Sequence, residues 1–234
     1  MRTAVVLLGL LLVTGCAQPT TSLVADPSLS APSPTPSEDS LIASPRPSSQ
    51  PETSSGPILI PPQTYWDGTE LIDGPITLDG YVVEVTDGDT FVMCISRGYS
   101  CEITDETVTV RLVQIDTPED GATKECYGAA ASLELADLLV EGAPIIAVTD
   151  PNLDQEDRYG RLLAWVWNPV ELVNLSLVTR GAAAPYFYKG ARGAFADRLE
   201  SEARAAQNAQ RGLWGSCPGT PYAPTRGVDT GPAN

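Results

Sequence analysis

Residues 107–120 read TVTVRLVQIDTPED. Thr107–Ile115 alternates polar with apolar side chains and is rich in β-branched residues, which predicts a half-buried strand. Pro118 then ends regular pairing, because proline lacks the N–H a ladder needs. Upstream, Thr90–Ile95 has the same character, and Ile76–Leu78 with Tyr81–Val85 predicts a strand pair turning at Asp79-Gly80. Downstream, Ile145–Thr149 and Leu162–Trp167 complete a set of at least five short strands. Between them, Tyr127–Val140 places Ala130, Leu133, Leu135, Ala136, Leu138 and Leu139 at helical spacing, ending at Glu141-Gly142. Asn174–Arg180 predicts a short helix stopped by Gly181, a usual residue just past a helix end. Gly193–Gln210 predicts a third, with Phe195, Leu199, Ala203 and Ala206 on one stripe and Gly212 beyond it. Strands first, with helices inserted and appended, indicate an α+β class, and five short strands allow a small closed barrel.

The composition narrows the chemistry. The chain has 234 residues, 30 acidic and 14 basic, and no histidine. A Ser-His-Asp triad, a Cys-His pair and an HExxH zinc site are therefore excluded. Catalysis must run on carboxylates, arginines, hydroxyls, thiols or a bound hard cation. The formal net charge of −16 argues against a protein that coats polyanions, since that needs clustered Lys and Arg.

The first residues read as a targeting device. Arg2 precedes the apolar run AVVLLGLLLV, residues 4–13, and then Thr14-Gly15-Cys16. A basic start, a short apolar core and small residues describe a secretory signal, too short to span a bilayer. VTGC resembles a bacterial lipobox, which implies a signal peptide over 1–16 and a lipidated Cys16. The alternative is an ordinary cleaved signal. Residues 17–62 hold 11 Pro, 11 Ser and 4 Thr among 46 positions, too little apolar surface to offset ordering entropy. They are expected to be a disordered tether lifting a folded domain, 63–217, from a membrane. The Pro/Gly/Thr-rich segment 218–234 is expected to be disordered. Four cysteines remain after processing, and an even count in an exported domain reads as two disulfides. Cys94 and Cys101 bracket a short stretch between two strand-like runs and suit a cross-hairpin bridge, which leaves Cys126 with Cys217. Four cysteines allow three connectivities.

Three clusters carry candidate chemistry: VTDGDT at 85–90, VRLVQIDTPED at 110–120 and DRYGRLLAWVW at 157–167. Each alone reads as a turn, a solvated loop or a surface charge run. Together they supply two hard-oxygen ligands (Asp89 and Asp116), a third carboxylate able to act as a base (Glu119), and arginines at separate positions. A hard cation, a base and two guanidinium groups are what phosphodiester cleavage needs without histidine.

DGDT, RLVQIDTPE, RYGRLLAWV and VNLSLVTRGAA–PYFY, in this order, resemble the thermonuclease family, the staphylococcal nuclease homologues. The resemblance runs from about Tyr81 to Trp214. It implies a five-stranded OB-fold β-barrel with three α-helices, and an endonuclease acting on DNA, RNA or both and leaving 3′-phosphates, which the N-terminal signal would make an exported one. Carried over residue by residue, it makes Asp89 and Asp116 Ca²⁺ ligands, with Thr117 adding its backbone carbonyl. Glu119 becomes the general base, and Arg111 and Arg161 bind phosphate and stabilise its developing charge. Tyr186 and Tyr188 fall where the family places tyrosines beside the nucleotide. Arg158 and Tyr159 flank the 5′-side phosphate, Arg158 standing where lysine is usual. The expected partners are a nucleic-acid substrate and, through the lipid anchor, a membrane; the expected state is a monomer.

Two departures matter. The hairpin between Thr90 and Arg111 is longer than in the staphylococcal enzyme and carries the extra cysteine pair. From residue 63 on the chain has 26 acidic and 12 basic residues, whereas the founding enzyme is basic. Asp150, Asp154, Glu156 and Asp157 are expected to crowd the approach to Arg161. Weak non-specific nucleic-acid affinity with a shallow salt dependence follows. A non-catalytic OB-fold module binding nucleic acid or protein is the alternative reading, against which stand the five retained polar residues Asp89, Arg111, Asp116, Glu119 and Arg161.

Overall fold

The computed structural model describes residues 67–233 apart from 97 and 99. The expected signal peptide with Cys16 and the tether lie outside the described residues. Among the described residues, no helix is long and apolar enough to cross a membrane.

Five strands close a barrel: β1 (Thr77–Val85), β2 (Thr90–Ile95), β3 (Glu106–Leu112), β5 (Pro144–Val148) and β6 (Leu162–Trp167), in the order β1-β2-β3-β6-β5. A separate two-stranded sheet pairs β4 (Ile115–Asp116) with β7 (Ala184–Pro185). The contacts are antiparallel except β3 with β6, which run parallel with Arg111 opposite Leu163. Inward residues such as Phe91, Met93, Val110, Leu112, Ala147 and Trp165 are fully enclosed. Cutting Phe91 or Trp165 back to alanine costs on the order of 3–5 kcal/mol in such a core.

Two strand expectations are corrected. The strand pair turning at Asp79-Gly80 is one continuous strand, because Gly80 pairs with Ile95 of β2 and with Ile145 of β5. Asp-Gly is a turn signal only locally. Here the missing side chain lets β1 pass close to the Cys94 carbonyl while it changes partners. The expected strand Thr107–Ile115 is interrupted after Leu112, since Gln114 takes a left-handed φ of 64°. That kink carries Ile115 and Asp116 out of the barrel wall and onto β7.

The three expected helices are present as α1 (Gly128–Leu138), α2 (Val173–Arg180) and α3 (Ala196–Asn208), with a short α4 (Leu213–Ser216) after them. Gly181 ends α2 at a left-handed φ of 79°. Asn174 on α2 is fully buried: its Oδ1 accepts the Val166 N–H, and its Nδ2 donates to Val113 and Ala164. It thereby satisfies backbone groups where the parallel strands part.

Both disulfides join the pairs read from spacing, Cys94 to Cys101 and Cys126 to Cys217, with Cα–Cα distances of 6.1 and 5.9 Å. The segment after Cys217, expected to be disordered, instead lies against the domain. Tyr222 and Val228 pack beside Leu213, Trp214 and Cys217. Its backbone exchanges hydrogen bonds with Phe187, Cys126 and Lys124. Composition measures only a segment's own apolar content, and here the covering surface comes from elsewhere in the chain.

Candidate active site

Arg111, near the end of β3, sits between two carboxylates. Its Nε meets Asp89 Oδ1 at 2.8 Å, and its NH2 meets Asp116 Oδ1 at 2.8 Å. Its NH1 donates to the carbonyls of Leu112 and Ile115 at 2.6 and 2.8 Å. Of the five N–H hydrogens of a guanidinium, four are thus committed within the protein. Arg111 thereby holds the first and second motifs together, tying Asp89 ahead of β2 to Asp116 beyond the kink that ends β3.

Asp89 precedes β2 in the Asp87-Gly88-Asp89 loop. Its Oδ1 also accepts from Thr90 Oγ1, and its Oδ2 accepts the Thr117 N–H and hydroxyl, all at 3.1 Å. Gly88 is required for this approach, since a Cβ there would lie 2.6 Å from Thr117 Oγ1. Asp116 is held from both sides, with Oδ1 on Arg111 and Oδ2 accepting the Val228 N–H at 2.9 Å.

The cluster carries surplus negative charge. Burial raises the Asp89 carboxyl above its ordinary value, with Arg111 opposing and Asp87 adding to the rise. Burial also pushes Asp116 up to about 6, despite Arg111 beside it. Glu119 is exposed on the loop after Pro118 and is raised by partial burial and by the charges of Asp116, Asp87 and Glu125. That loop is closed by Glu125, whose N–H donates to the Glu119 carbonyl at 2.8 Å and whose Oε2 accepts the Glu119 N–H at 3.1 Å.

Arg161, at the mouth of β6, faces the same region from the other side. Asp157 Oδ2 holds its Nε and NH2, each at 2.7 Å, and its NH1 donates to Thr90 Oγ1 at 3.2 Å. Thr90 therefore bridges Asp89 and Arg161. Among the described residues, two of the Arg161 N–H hydrogens find no acceptor. Burial pushes the Asp157 carboxyl up, but the hydrogen bonds from Arg161 and Tyr159 outweigh it and hold it below the ordinary value.

A cleft of about 810 Å³ opens beside this assembly, lined by Arg111, Arg158, Tyr159, Arg161, Tyr186 and Tyr188 among others. The two tyrosine rings of the PYFY stretch lie 6.4 Å apart, and the Arg158 guanidinium covers the Tyr159 ring at 4.6 Å. Tyr159 and Tyr188 are exposed. Six of the residues chosen from sequence thus share one cleft, while Asp89, Asp116 and Thr117 form the adjoining cluster through Arg111. Glu119 is not on the cleft wall and belongs to the acidic side.

One expectation about the rim is corrected. Asp154, Glu156 and Asp157 do line the cleft, but Asp150 does not. It is buried and accepts the Trp165 indole N–H at 2.9 Å and the Ala194 N–H at 2.6 Å. Sequence reading also missed Asp157 as the holder of Arg161, the cleft residue Lys189, and the Val228 contact with Asp116. The spacing Asp157–Arg161 was a usable signal for the first; nothing local pointed to the last.

The donor chemistry fits a hard cation. Asp89 and Asp116 carry the hard carboxylate oxygens that such an ion takes, and they share the single guanidinium of Arg111. Among the described residues, no group of three or more His, Cys, Asp or Glu side chains is arranged to hold a metal ion.

Comparison with known proteins adds to this geometry. The model of the family described as "Staphylococcal nuclease homologue" matches residues 109–216, which include every candidate residue on the cleft and exclude Asp89. The chain is 33% identical over 144 residues to a protein named "Micrococcal nuclease" from Shigella flexneri, covering 58% of this chain and 72% of that one. It is 36% identical over 138 residues to an "Uncharacterized endonuclease" from Escherichia coli, covering 58% and 77%. It is 27% identical over 136 residues to a "Thermonuclease" from Staphylococcus hyicus, covering 57% and 73%.

Proposed function

The chain belongs to the family of staphylococcal nuclease homologues and is a nuclease, and from that premise we propose that it is an exported, Ca²⁺-dependent endonuclease hydrolysing DNA, RNA or both. Asp89, Asp116 and the Thr117 carbonyl would hold the ion, which would supply positive charge against the phosphate. Glu119 accepts the proton of the attacking water as its oxygen bonds to phosphorus. The bond from phosphorus to the 5′ oxygen breaks, the 5′ oxygen takes up a proton, and a 3′-phosphate remains.

The uncommitted N–H hydrogens of Arg161, with the one left on Arg111, bind the phosphoryl oxygens and favour the transition state over the ground state. Tyr186 and Tyr188 stack the flanking nucleotide, and Arg158 with Tyr159 takes the 5′-side phosphate. The observation that carries this reading is the junction at Arg111. One guanidinium ties two carboxylates of separate motifs together and also faces the cleft on which the second arginine and the tyrosines stand. The reading extends to a monomer anchored at the membrane surface by lipid on Cys16, with residues 17–62 as its tether.

Cleavage assays of the purified chain on single- and double-stranded DNA and on RNA, with Ca²⁺, Mg²⁺ or chelator, test it. Cleavage with Ca²⁺ that chelator abolishes, leaving 3′-phosphate ends, is expected. Binding without cleavage in any of these conditions would support a non-catalytic module instead. Mass analysis of the mature N-terminus tests the lipid on Cys16.

A further inference from the structure

The segment following Cys217 touches three parts of the site in succession. The Pro224 carbonyl accepts the N–H of Phe187, which lies between the two cleft tyrosines, at 2.6 Å. Val228 donates its N–H to Asp116 Oδ2 at 2.9 Å. Thr230 Oγ1 donates to the Cys126 carbonyl at 2.7 Å, and the Gly231 carbonyl accepts the Cys126 N–H at 2.9 Å. Cys126 follows Glu125, the residue that closes the Glu119 loop.

Gly227 makes the central contact possible. Its φ is 81°, and a Cβ on it would lie 2.6 Å from Asp116 Oδ2. A backbone that approaches a carboxylate this closely, on the oxygen Arg111 leaves free, fixes the rotation of that carboxylate. With Arg111 on one oxygen and Val228 on the other, Asp116 presents its remaining lone pairs in one orientation.

We propose that residues 224–231 form a strap in which Val228, through its backbone N–H, is a positioning residue for Asp116 as a cation ligand, and in which Thr230 and Gly231 steady the loop bearing Glu119. The proposal rests on the reading of Asp116 as a ligand to the ion. It treats the strap as part of the active centre, not as a cover over it.

The test uses the full chain and three variants: Gly227→Val, a chain ending at Ala223, which keeps Tyr222 on Trp214, and a chain ending at Gly231, which keeps the contacts with Phe187, Asp116 and Cys126 and loses only the Ala233 bond to Lys124. Ca²⁺ alone is titrated by calorimetry, thermal unfolding is followed in chelator, and cleavage is measured at saturating Ca²⁺. Gly227→Val and the chain ending at Ala223 are expected to bind Ca²⁺ at least about tenfold more weakly. The chain ending at Gly231 is expected to stay within about twofold, as its Asp116 contact is intact. Should the shorter chain fail to fold, Gly227→Val carries the comparison.

Lowered thermal stability with unchanged Ca²⁺ affinity in Gly227→Val would overturn the proposal, since the strap would then only pack. Tighter binding or faster cleavage on truncation would overturn it too, by making the strap a cover. Equal weakening in the chain ending at Gly231 would move the effect away from Val228. A wild-type chain with no Ca²⁺ affinity would overturn the ligand reading and the strap with it; wild-type affinity kept by both disrupted variants overturns the strap alone.

Discussion

Asp157 holds Arg161 edge-on: one carboxylate oxygen takes both Nε and NH2 at 2.7 Å, while the other accepts the Arg161 backbone N–H at 3.0 Å. The pair is four residues apart across the Tyr159-Gly160 turn, so the carboxylate fixes the turn and the guanidinium together. Asp157→Ala is expected to lower kcat/KM on a DNA oligonucleotide about 10-fold or more, a loss on the order of 1–2 kcal/mol of transition-state binding. Asp157→Glu should recover part of it. Undiminished kcat/KM in the alanine variant would show that Arg161 needs no such partner.

Glu119 is exposed and outside the core, so its chemistry can be separated from its structural cost. Glu119→Gln keeps the shape and removes the proton acceptor. kcat should fall by roughly 10²–10⁴ while the thermal midpoint hardly moves. A variant with near-normal kcat would refute the base assignment.

Asp116 sets a pH dependence of stability. Its carboxyl is raised from 3.8 to about 6, so the folded chain holds that proton more tightly than the unfolded chain does. The resulting stabilisation is complete below about pH 4 and is lost as pH rises through about 6. Asp89 and Glu119 shift the same way, whereas Asp157 is lowered and matters only under the ordinary carboxylate range. In chelator, urea unfolding should show greater stability near pH 5 than near pH 7.5, with Asp116 contributing about 1.5 kcal/mol of the difference. Asp116→Asn should flatten most of that slope; a profile identical to wild type would contradict it.

The Cys126–Cys217 bridge closes a loop of 91 residues. Chain entropy assigns such a bridge up to about 4–5 kcal/mol, with measured gains often smaller. The double serine variant should therefore unfold at lower urea, by about 2–4 kcal/mol. It should also lose activity beyond its loss of stability, since Cys126 adjoins the Glu119 loop. An unchanged urea midpoint would show that the bridge constrains little.

The acidic surface predicts weak dependence of binding on salt. Affinity for a DNA oligonucleotide, measured in Ca²⁺ with Glu119→Gln to prevent cleavage, should give a log–log slope no steeper than about −4. A steeper slope would mean that the substrate meets a basic path not visible in the composition.

How much of this was legible in the sequence divides along physical lines. Local rules found β2 and β6 at their true limits and all three long helices, because strand alternation and helical spacing are properties of neighbouring residues. The motifs likewise carried Asp89, Arg111, Asp116 and Arg161, whose residue types restrict the chemistry wherever they lie. The composition alone excluded every histidine mechanism. What neighbouring residues could not express was decided by distant contacts. Gly80 reads as a turn until β2 and β5 both claim it. Asp150 reads as a surface charge until the Trp165 indole and the Ala194 amide enclose it. The segment after Cys217 reads as disordered until Asp116, Phe187 and Cys126 supply its hydrogen-bond partners. In each case a burial or a backbone partner came from residues far along the chain, and that free energy exists only once the barrel has closed.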